Sequence, residues 1–419
     1  MAKNIVVRLL GWQVRRLRAK NDIRVVAVAG SIGKTSTKFA VSQVLAAKFR
    51  VRFQEGNYND ISTVPLVFFG LEQPSLLNPL AWAKTLLKIE AQIRKRYPYD
   101  LVVVEVGTDG PGQIEEFSKY LQADIAVLTA ITPEHMEYFG TLDAVAKEEL
   151  AIAGISDALL LNADLCDNHY LKDLTGAYQA FGFSDTADFK LSQDKAGGYT
   201  LTKEGGLQLR LSGESNKALI YSMSAAAATA YHLGMTNDEI QSALSTVKAV
   251  KGRGMVLNAI EDSKIIDETY NASPDAVKSA LDTLYAQQAT RKIALLGNMN
   301  ELGHYSEQAH REVGAYCDPK QLELVVTLGP EANTFLAEAA TKAGCRVQRA
   351  TNPQEAAEYI KEVLTPGSLI LAKGSQNNVY AEEAVKALLA KPEDAVHLVR
   401  QTAAWQDKKR RNFAPKNNA

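Results

Sequence analysis

At 419 residues the chain is too long for one ordinary hydrophobic core, so its length predicts two domains, or three. A hydrophobic content of 46% with 23% charged residues is typical of a globular protein in water, and a net charge of −1 gives no general reason to expect a nucleic acid partner. The three widely spaced cysteines exclude a disulfide framework and a zinc motif; they favour a reducing compartment, so we expect a cytoplasmic protein. No apolar run reaches the length of a membrane span.

Both ends of the chain are basic. Residues 1–22 alternate cations such as Arg8, Arg15 and Arg16 with apolar residues, in the pattern of an amphipathic helix. We expect this helix to pack its apolar side on the domain that follows; the alternative is peripheral contact of residues 1–20 with an anionic membrane surface. Residues 396–419 include a Lys-Lys-Arg-Arg run at 408–411 and are predicted to be a basic, disordered tail.

Residues 23–250 have the pattern of a doubly wound α/β domain. Short apolar runs alternate with stretches in which apolar residues recur at helical spacing. The predicted strands are 24–29, 101–106, 125–130 and 158–161, and the predicted helices are 34–48, 80–96, 142–153, 221–233 and 236–247. Residues 186–213 alternate polar and apolar side chains around two Gly-Gly pairs, which predicts a small β insertion at the sheet edge.

A second, Rossmann-like α/β domain is predicted over residues 251–395. It begins at a glycine-flanked break around Arg253. The predicted strands are 265–267, 292–297, 322–328, 346–349 and 369–372, and the predicted helices are 274–287, 306–316, 331–343, 353–363 and 379–389. We expect a six-stranded sheet covered by these helices.

The strongest chemical signal is the segment Gly-Ser-Ile-Gly-Lys-Thr-Ser at residues 30–36, directly after an apolar strand. Glycines let the backbone curl so that successive N–H groups face a phosphate, while the lysine reaches the β/γ oxygens and the threonine hydroxyl ligates Mg²⁺. The match to the standard P-loop is imperfect because Val28 stands where an earlier glycine is usual. The predicted nucleotide-binding residues of this loop are Gly30, Ser31, Gly33, Lys34, Thr35 and Ser36.

Polar residues follow two further predicted strands of the same sheet. Glu105 ends one strand and His135 lies just beyond another, so both are expected at the carboxyl edge, where ligands bind in open α/β sheets. With Thr35, Glu105 and His135 are predicted to hold Mg²⁺ or to act in catalysis. The alternative is a surface glutamate at a strand end and a histidine that makes ordinary surface hydrogen bonds.

Two other segments are candidates for ligand contacts. The loop containing Asn57 and Asn59 has the composition of a turn, but its amides could also bind a polar substrate. In the second domain, Asp267 and Asn271 lie between a strand end and a helix start and are predicted nucleotide contacts. Lys373 follows the last strand, where a lysine can meet the charge that develops on a phosphate.

Taken together, these segments resemble the Mur ligase family, and within it the branch that adds D-alanyl-D-alanine (MurF-like). The resemblance runs in collinear order along nearly the whole chain. The segments that carry it include Gly30-Ser-Ile-Gly-Lys-Thr35, Gly56-Asn57-Tyr58-Asn59, Glu105-Val-Gly107, Pro133-Glu-His135, Tyr270-Asn271-Ala-Ser-Pro-Asp275, Glu301-Leu302-Gly303 and Lys373-Gly-Ser375.

The resemblance implies an ATP- and Mg²⁺-dependent ligase that joins a carboxylate donor to an amine through an acyl phosphate, in peptidoglycan precursor synthesis. It implies catalytic roles for Lys34, His135 and Lys373, and it implies that Arg253 and Lys373 reach the nucleotide when the C-terminal domain closes. The expected partners are small-molecule or peptide substrates and no nucleic acid, and a monomer is expected.

Two of the chain's departures from the family pattern concern the carboxylate donor and the metal site. Only about 22 residues precede the first strand, whereas family members carry an N-terminal domain for the UDP sugar. The identity of the carboxylate donor is therefore left open. The family's carbamylated lysine should fall two residues after Lys147, at Glu149, which carries a carboxylate without carbamylation and is a predicted metal ligand. The alternatives are that Lys147 is the modified residue, or that both residues lie on an exposed helix face.

These departures leave two further functions open. One is a ligase for a different acidic polymer or small molecule, and the other is a non-catalytic ATP-binding scaffold.

Overall fold

The computed structural model describes residues 2–56, 58–75, 78–172, 174, 176–195, 197–211 and 217–413. These residues form two compact units. Unit 1 comprises residues 2–132, 138–211 and 219–248, and unit 2 comprises residues 133–137, 217–218 and 249–413, within the described ranges. The mixed α/β class that the sequence predicts is confirmed in both units.

Unit 1 is built on a nine-stranded sheet in the order β2-β3-β1-β4-β5-β6-β7-β8-β9. Its strands are β1 Arg24–Ala29, β2 Val51–Arg52, β3 Leu101–Glu105, β4 Ile125–Leu128, β5 Leu159–Asn162, β6 Tyr178–Gly182, β7 Phe189–Gln193, β8 Tyr199–Lys203 and β9 Leu207–Leu211. The pairs from β2 to β7 are parallel, and β7, β8 and β9 pair antiparallel. The predicted β insertion therefore forms the last three strands of this sheet.

Helices cover both faces of the sheet, because successive residues of the buried strands point to opposite sides. In β1, Val25 and Ala27 belong to one core cluster, and Val26 and Val28 belong to the other. The helices that precede residue 249 are α1 Ala2–Lys20, α2 Lys34–Leu45, α3 Val64–Phe69, α4 Pro79–Ile93, α5 Gln113–Glu116, α6 Met136–Phe139, α7 Leu142–Leu150, α8 Asn168–Leu171, α9 Lys217–His232 and α10 Asn237–Leu244.

The N-terminal helix α1 packs on unit 1, as the sequence favours. Leu10, Val14 and Leu17 are fully buried in the core cluster that also contains residues of α3 and α4. The arginines at the end of α1 are held by the same unit: Arg15 donates to the carbonyl of Lys119, and Arg18 donates to that of Gln122 at 2.7 Å. None of the described helices is both long and apolar enough to cross a membrane.

Unit 2 contains a six-stranded sheet in the order β10-β11-β15-β12-β13-β14, in which β10 runs antiparallel to β11 and the other neighbours are parallel. The strands are β10 Met255–Ala259, β11 Ser263–Glu268, β12 Lys292–Gly297, β13 Leu324–Leu328, β14 Val347–Ala350 and β15 Leu369–Lys373. The helices are α11 Pro274–Ala286, α12 Ser306–Tyr316, α13 Ala337–Lys342, preceded by a π-helical turn over Ala332–Leu336, α14 Pro353–Lys361, α15 Ala381–Leu388 and α16 Ala403–Phe413.

The prediction of a disordered tail is wrong for the described part of residues 396–419. Residues Ala403–Phe413 form helix α16, and Lys409, inside the basic run, is buried. Its ammonium lies 2.7 Å from a carboxylate oxygen of Glu382 and 2.6 Å from one of Glu383, both on α15. A run of cations predicts a solvated tail only where no buried carboxylates pair with it, and here the carboxylates that pair with Lys409 lie on helix α15. Residues 414–419 lie outside the described part.

Candidate active site

The carboxyl ends of β3, β1 and β4 meet at one edge of the unit 1 sheet, because these strands are parallel neighbours. Glu105 at the end of β3 is level with Val28 of β1, and Ala29 of β1 is level with Leu128 of β4. The loop that begins at Gly30 therefore leaves the sheet between the ends of β3 and β4. This edge is where open parallel sheets bind ligands.

The first glycine of the loop is required by both conformation and space. Gly30 has a φ of 123°, and a Cβ atom there would lie 2.3 Å from the hydroxyl oxygen of Thr129. Ser31 ties the loop to the chain beyond β4, since its hydroxyl accepts from the backbone N–H of Thr132 at 2.7 Å. The loop thus has a defined path from the strand to helix α2.

Helix α2 begins at Lys34, after the left-handed Gly33, which makes no side-chain cap hydrogen bond. The first N–H groups of a helix have no intrahelical acceptor, and together with the helix dipole they form an anion-binding site. The half-buried Ser36 lies in this first turn, and the ammonium of Lys34 lies 3.3 Å from the carbonyl of Ser31. The geometry fits a phosphate group.

Behind this turn lies a buried cluster of a hydroxyl, a carboxylate and a second lysine. The Thr35 hydroxyl donates to Glu105 at 3.1 Å, and the ammonium of Lys38 lies 3.1 Å from the same carboxylate. The three residues are between 2% and 8% exposed. Hydroxyl and carboxylate oxygens are the ligands that Mg²⁺ prefers, so Thr35 and Glu105 fit this ion. The predicted pairing of these two residues is present in the structure.

The sequence interpretation does not include Lys38. The sequence does contain an indication of its role, because Lys38 is four residues after Lys34 and therefore lies on the same face of the helix. The lysine also lies 3.5 Å from the carbonyl of Gly56, in the loop that contains the predicted substrate residues.

Glu149 lies inside unit 1, against the loop. Its side chain is 1% exposed, and its carboxylate accepts from the backbone N–H of Gly30 at 2.7 Å. The alternative of an exposed helix face is therefore wrong for Glu149, although Lys147 is exposed. The neighbouring Glu148 is buried for a different reason, since it accepts from the N–H groups of Gly112 and Ile114 at the start of α5.

Protein side chains alone do not form a complete metal cage here. No group of three or more His, Cys, Asp and Glu side chains among the described residues could hold a metal ion. This is compatible with Mg²⁺, which usually keeps several waters and binds through one or two carboxylates together with the phosphates of its nucleotide. Two buried carboxylates, Glu105 and Glu149, reach the loop from different elements.

His135 belongs to unit 2 in the structure. It has a left-handed φ of 49°, and its ring lies 3.0 Å from a carboxylate oxygen of Glu301, which is left-handed as well. The hydrogen bond from His135 lowers the pKa of Glu301. The ring of His135 also lies 3.6 Å from Glu134, and the expected role of His135 in metal binding or catalysis stays a prediction.

The predicted substrate loop is described only in part. Asn57 lies outside the described residues. The carbonyl of Asn59 accepts from the N–H of Gly107, the second residue after β3, at 2.8 Å. A Cβ at Gly107 would lie 2.7 Å from the Asn59 amide nitrogen, so this loop packs tightly against the end of β3. The arrangement brings Asn59 to the same sheet edge as Glu105.

In unit 2, Asp267 at the end of β11 is fully buried. It accepts from the Thr269 hydroxyl at 2.6 Å and from the N–H of Gly252 at 3.1 Å. Burial raises the pKa of Asp267 to about 6. These bonds hold the Gly252 turn, and the guanidinium of Arg253 lies 4.1 Å from the ring centre of Tyr270. The geometry supports a positioning role for Asp267, and the direct nucleotide contact that the sequence predicts stays a prediction.

Lys373 ends β15 and is 3% exposed. Its ammonium lies 3.2 Å from a carboxylate oxygen of Glu268 and 3.0 Å from the carbonyl of Asn271. Two predicted site residues of unit 2, Lys373 and Asn271, are therefore in contact. Burial lowers the pKa of Lys373. The next polar residue, Ser375, accepts from the N–H of Asn300 at 2.9 Å. The segment after β15 is thus bonded to the segments that follow β11 and β12.

Arg400 supports the same turn from the C-terminal segment. Its guanidinium donates to the carbonyls of Thr269 and Tyr270 and forms two hydrogen bonds with Glu382, at 2.8 and 2.7 Å. No local pattern in the sequence reveals this role, because the partners lie between 18 and 131 residues away along the chain.

Comparison with known proteins agrees with this geometry. The chain matches the Mur ligase middle domain over residues 28–230 and the glutamate ligase domain of Mur ligases over residues 252–376. It is 29% identical over 385 residues to a UDP-N-acetylmuramoyl-tripeptide–D-alanyl-D-alanine ligase of Bacillus subtilis, an alignment that covers 88% of this chain and 76% of the relative. The protein of the same description from Synechocystis is 30% identical over 388 residues, covering 91% and 76%.

A solved structure shows the same fold. The MurF ligase of Thermotoga maritima in complex with ADP superimposes with a TM-score of 0.74 at 24% identity, over 93% of this chain and 84% of that one. With both domain models matched and a relative at 30% identity covered over most of its length, this chain belongs to the Mur ligase family.

Proposed function

We propose that this protein is an ATP- and Mg²⁺-dependent ligase that forms an amide between a carboxylate and the amine of D-alanyl-D-alanine or a related dipeptide, in peptidoglycan precursor synthesis. ATP phosphorylates the carboxylate and leaves as ADP; the amine then attacks the acyl phosphate, and phosphate is released. The relatives named above support this reaction. Ligation of this type needs a site that holds nucleotide phosphates and offsets their charge.

The observation that carries the proposal is the buried Thr35–Glu105 pair behind the first turn of α2, with Lys34 and Lys38 beside it. The N–H groups of this turn and Lys34 would hold the β- and γ-phosphates, and Thr35 and Glu105 would hold Mg²⁺. When bound, Mg²⁺ neutralises charge on the phosphates and thereby makes the γ-phosphorus a better electrophile. The cations of Lys34 and Lys38, together with the N–H groups at the start of α2, provide the positive charge that polyphosphate binding needs.

Unit 2 would supply the remaining polar groups. In this proposal Arg253, Asn271 and Lys373 contact the nucleotide or the acyl phosphate, and His135 acts in catalysis or metal binding. Asp267 and Arg400 hold the turn that presents Arg253 and Tyr270. The substrates are small molecules or peptides, and we propose a cytoplasmic monomer, because ATP and the precursors that family members use are found there.

The proposal is tested by phosphate release from ATP with a panel of donor carboxylates, each with and without D-alanyl-D-alanine. We expect release that requires both the donor and the dipeptide and that is lost in Lys34→Ala. Lys195→Ala is the matched control, since it removes an exposed lysine of the same unit. ATP binding without release, with every donor and in the wild type, would instead identify a nucleotide-binding scaffold.

A second experiment tests Glu149 as a metal ligand. Glu149→Gln keeps the size of the side chain but removes the charge, so we expect weaker binding of Mn²⁺, used as a spectroscopic substitute for Mg²⁺, in the presence of ADP. In Glu149→Lys, bicarbonate should restore part of the Mn²⁺ affinity, because a carbamylated lysine regains a carboxylate. Unchanged Mn²⁺ affinity in Glu149→Gln would show that Glu149 is not a metal ligand.

A further inference from the structure

Two helices of unit 1, α1 and α4, run parallel and side by side. Arg16 of α1 forms two hydrogen bonds with Glu90 of α4, at 2.5 and 3.1 Å. One turn further on, Lys20 donates to the carbonyls of Ile93 and Arg94 at 3.0 and 2.9 Å. The partners are separated by about 74 residues at both levels, as expected for two parallel helices in side-by-side contact.

The outer side of α1 carries an apolar stripe. Ile5, Leu9 and Trp12 are 55%, 41% and 46% exposed, and their spacing of four and three residues places them on one helix face. Arg16 continues the stripe, and its guanidinium lies 4.5 Å from the centre of the Trp12 ring. Because Arg16 is also bonded to α4, this stripe lies beside that helix.

Helix α4 carries a matching stripe at the same level. Leu80 and Leu87 are 82% and 71% exposed, and Leu87 lies one turn before Glu90, the residue bonded to Arg16. With the offset of 74 residues, Leu80 is level with the residue after Ile5, and Leu87 with the residue after Trp12. We call these five exposed side chains, Ile5, Leu9, Trp12, Leu80 and Leu87, the α1–α4 face.

Cations flank the α1–α4 face on both outer edges. At 100° per residue, Arg8 and Arg15 lie on the side of α1 away from α4, and Lys84 and Lys88 lie on the side of α4 away from α1. All four are exposed. The sequence of α1 contains no acidic residue, and the one acidic residue of α4, Glu90, is bonded to Arg16 and Arg94.

We propose that the α1–α4 face docks this protein on an anionic lipid surface. Leu, Ile and Trp side chains insert to headgroup depth, and a border of Arg and Lys attracts anionic lipids, which is the pattern of helices that lie in the membrane interface. A second copy of this chain fits less well, because a two-fold contact would bring the same cations together. Docking involves helices that lie on the surface, consistent with the lack of a spanning helix among the described residues.

This inference is independent of the proposed ligase activity, because the face shares no residue with the candidate active site. It also goes further than the amphipathic pattern of residues 1–20, since two of the five apolar side chains come from α4, more than sixty residues later in the chain.

Flotation of the full chain with vesicles tests the proposal. We expect the protein to float with vesicles that contain phosphatidylglycerol and to remain at the bottom with pure phosphatidylcholine. The double variant Leu9→Ser with Leu87→Ser should bind at least roughly tenfold more weakly, because two apolar anchors are lost. Lys84→Gln with Lys88→Gln should lose about fivefold for each charge removed.

The control is Val396→Ser, which removes an apolar side chain that is 63% exposed in unit 2 and should not change flotation. The emission of the wild type should shift to the blue on adding anionic vesicles, and Trp12→Phe should abolish most of that shift. Absence of flotation with anionic vesicles, or equal flotation of the Leu9/Leu87 variant, would overturn the proposal. A dimer in solution that the same variant dissociates, without vesicle binding, would overturn it in favour of a second copy.

Discussion

The buried pair Lys38–Glu105 leads to a quantitative prediction. The two side chains are 2% and 4% exposed, and the ammonium lies 3.1 Å from the carboxylate. Replacing Lys38 by Met keeps the volume of the side chain but leaves a buried carboxylate without this cation. At that distance and an effective dielectric constant of about 20, the attraction is at most about 5 kcal/mol. Removing one partner of a buried pair typically costs about 3–5 kcal/mol.

We therefore expect Lys38→Met to lower the free energy of unfolding of unit 1 by about 3 kcal/mol, somewhat less than the Coulomb limit because Thr35 still donates to Glu105. Glu105→Gln should have a similar cost, since it leaves Lys38 buried without its carboxylate. In the double variant both charges are absent, so the coupling energy of the double-mutant cycle should be about 3 kcal/mol.

The assay is urea unfolding in EDTA, followed by tryptophan fluorescence in a Trp405→Phe background, so that the remaining tryptophans, Trp12 and Trp82, both lie in unit 1. The matched control is the exposed pair Lys190–Asp185, whose cycle should give less than about 1 kcal/mol. A coupling energy for Lys38 and Glu105 no larger than that of the control would refute the reasoning. Added Mg²⁺ should stabilise Lys38→Met more than the wild type, because the ion replaces the missing charge.

Three further changes test other parts of the structure. The pKa of Asp267 is about 6 in the folded state and about 3.9 when unfolded, so its contribution to stability is largest below pH 4 and falls by about 3 kcal/mol as the pH rises through 6. Asp267→Asn should therefore make the stability of unit 2, measured by urea titration, less dependent on pH over that range. An unchanged pH dependence would contradict the raised pKa. Lys409→Met removes a buried cation between Glu382 and Glu383 and should destabilise unit 2 by about 3 kcal/mol, whereas the exposed control Arg410→Met should change its urea midpoint little. Gly30→Ala places a methyl group against Thr129 in a left-handed conformation, so it should lower the free energy of unfolding by more than about 2 kcal/mol and weaken ATP binding measured by calorimetry. Gly112→Ala is strained in the same way but meets open space, so it should lower the free energy of unfolding by about 1 kcal/mol. Equal losses would show that space at Gly30 is not limiting.

Local patterns in the sequence were sufficient for much of the architecture. Strands β1 and β12 and helix α12 have the bounds that the apolar pattern predicts, and the other predicted elements differ by a few residues at their ends, whereas strands β2, β6 and β10 lie outside every predicted element. The reason is that strand and helix periodicities, turn glycines and capping residues act over neighbouring positions. Thr236 and Glu239, for example, form the capping box that their spacing indicates.

The candidate site was predictable where it follows directly from strand ends. Glu105 and the loop at Gly30 come together because parallel strands end at one edge of the sheet. The contact of His135 with Glu301 was not predictable in this way, since a residue several positions past a strand end is no longer held by that strand and its partner is far along the chain.

The sequence by itself determined the alternation of strands and helices in both units, the phosphate loop and the motifs that identify the family. Only the tertiary structure decided how the buried charges are paired: Lys38 with Glu105, Glu149 with the Gly30 amide, and Lys409 with Glu382. Each of these partners is distant in sequence, and the identity of a charged residue does not show whether its side chain is solvated or buried. The free energy of a buried ion depends on the partner that the fold brings to it, so this information arises only when the chain is packed.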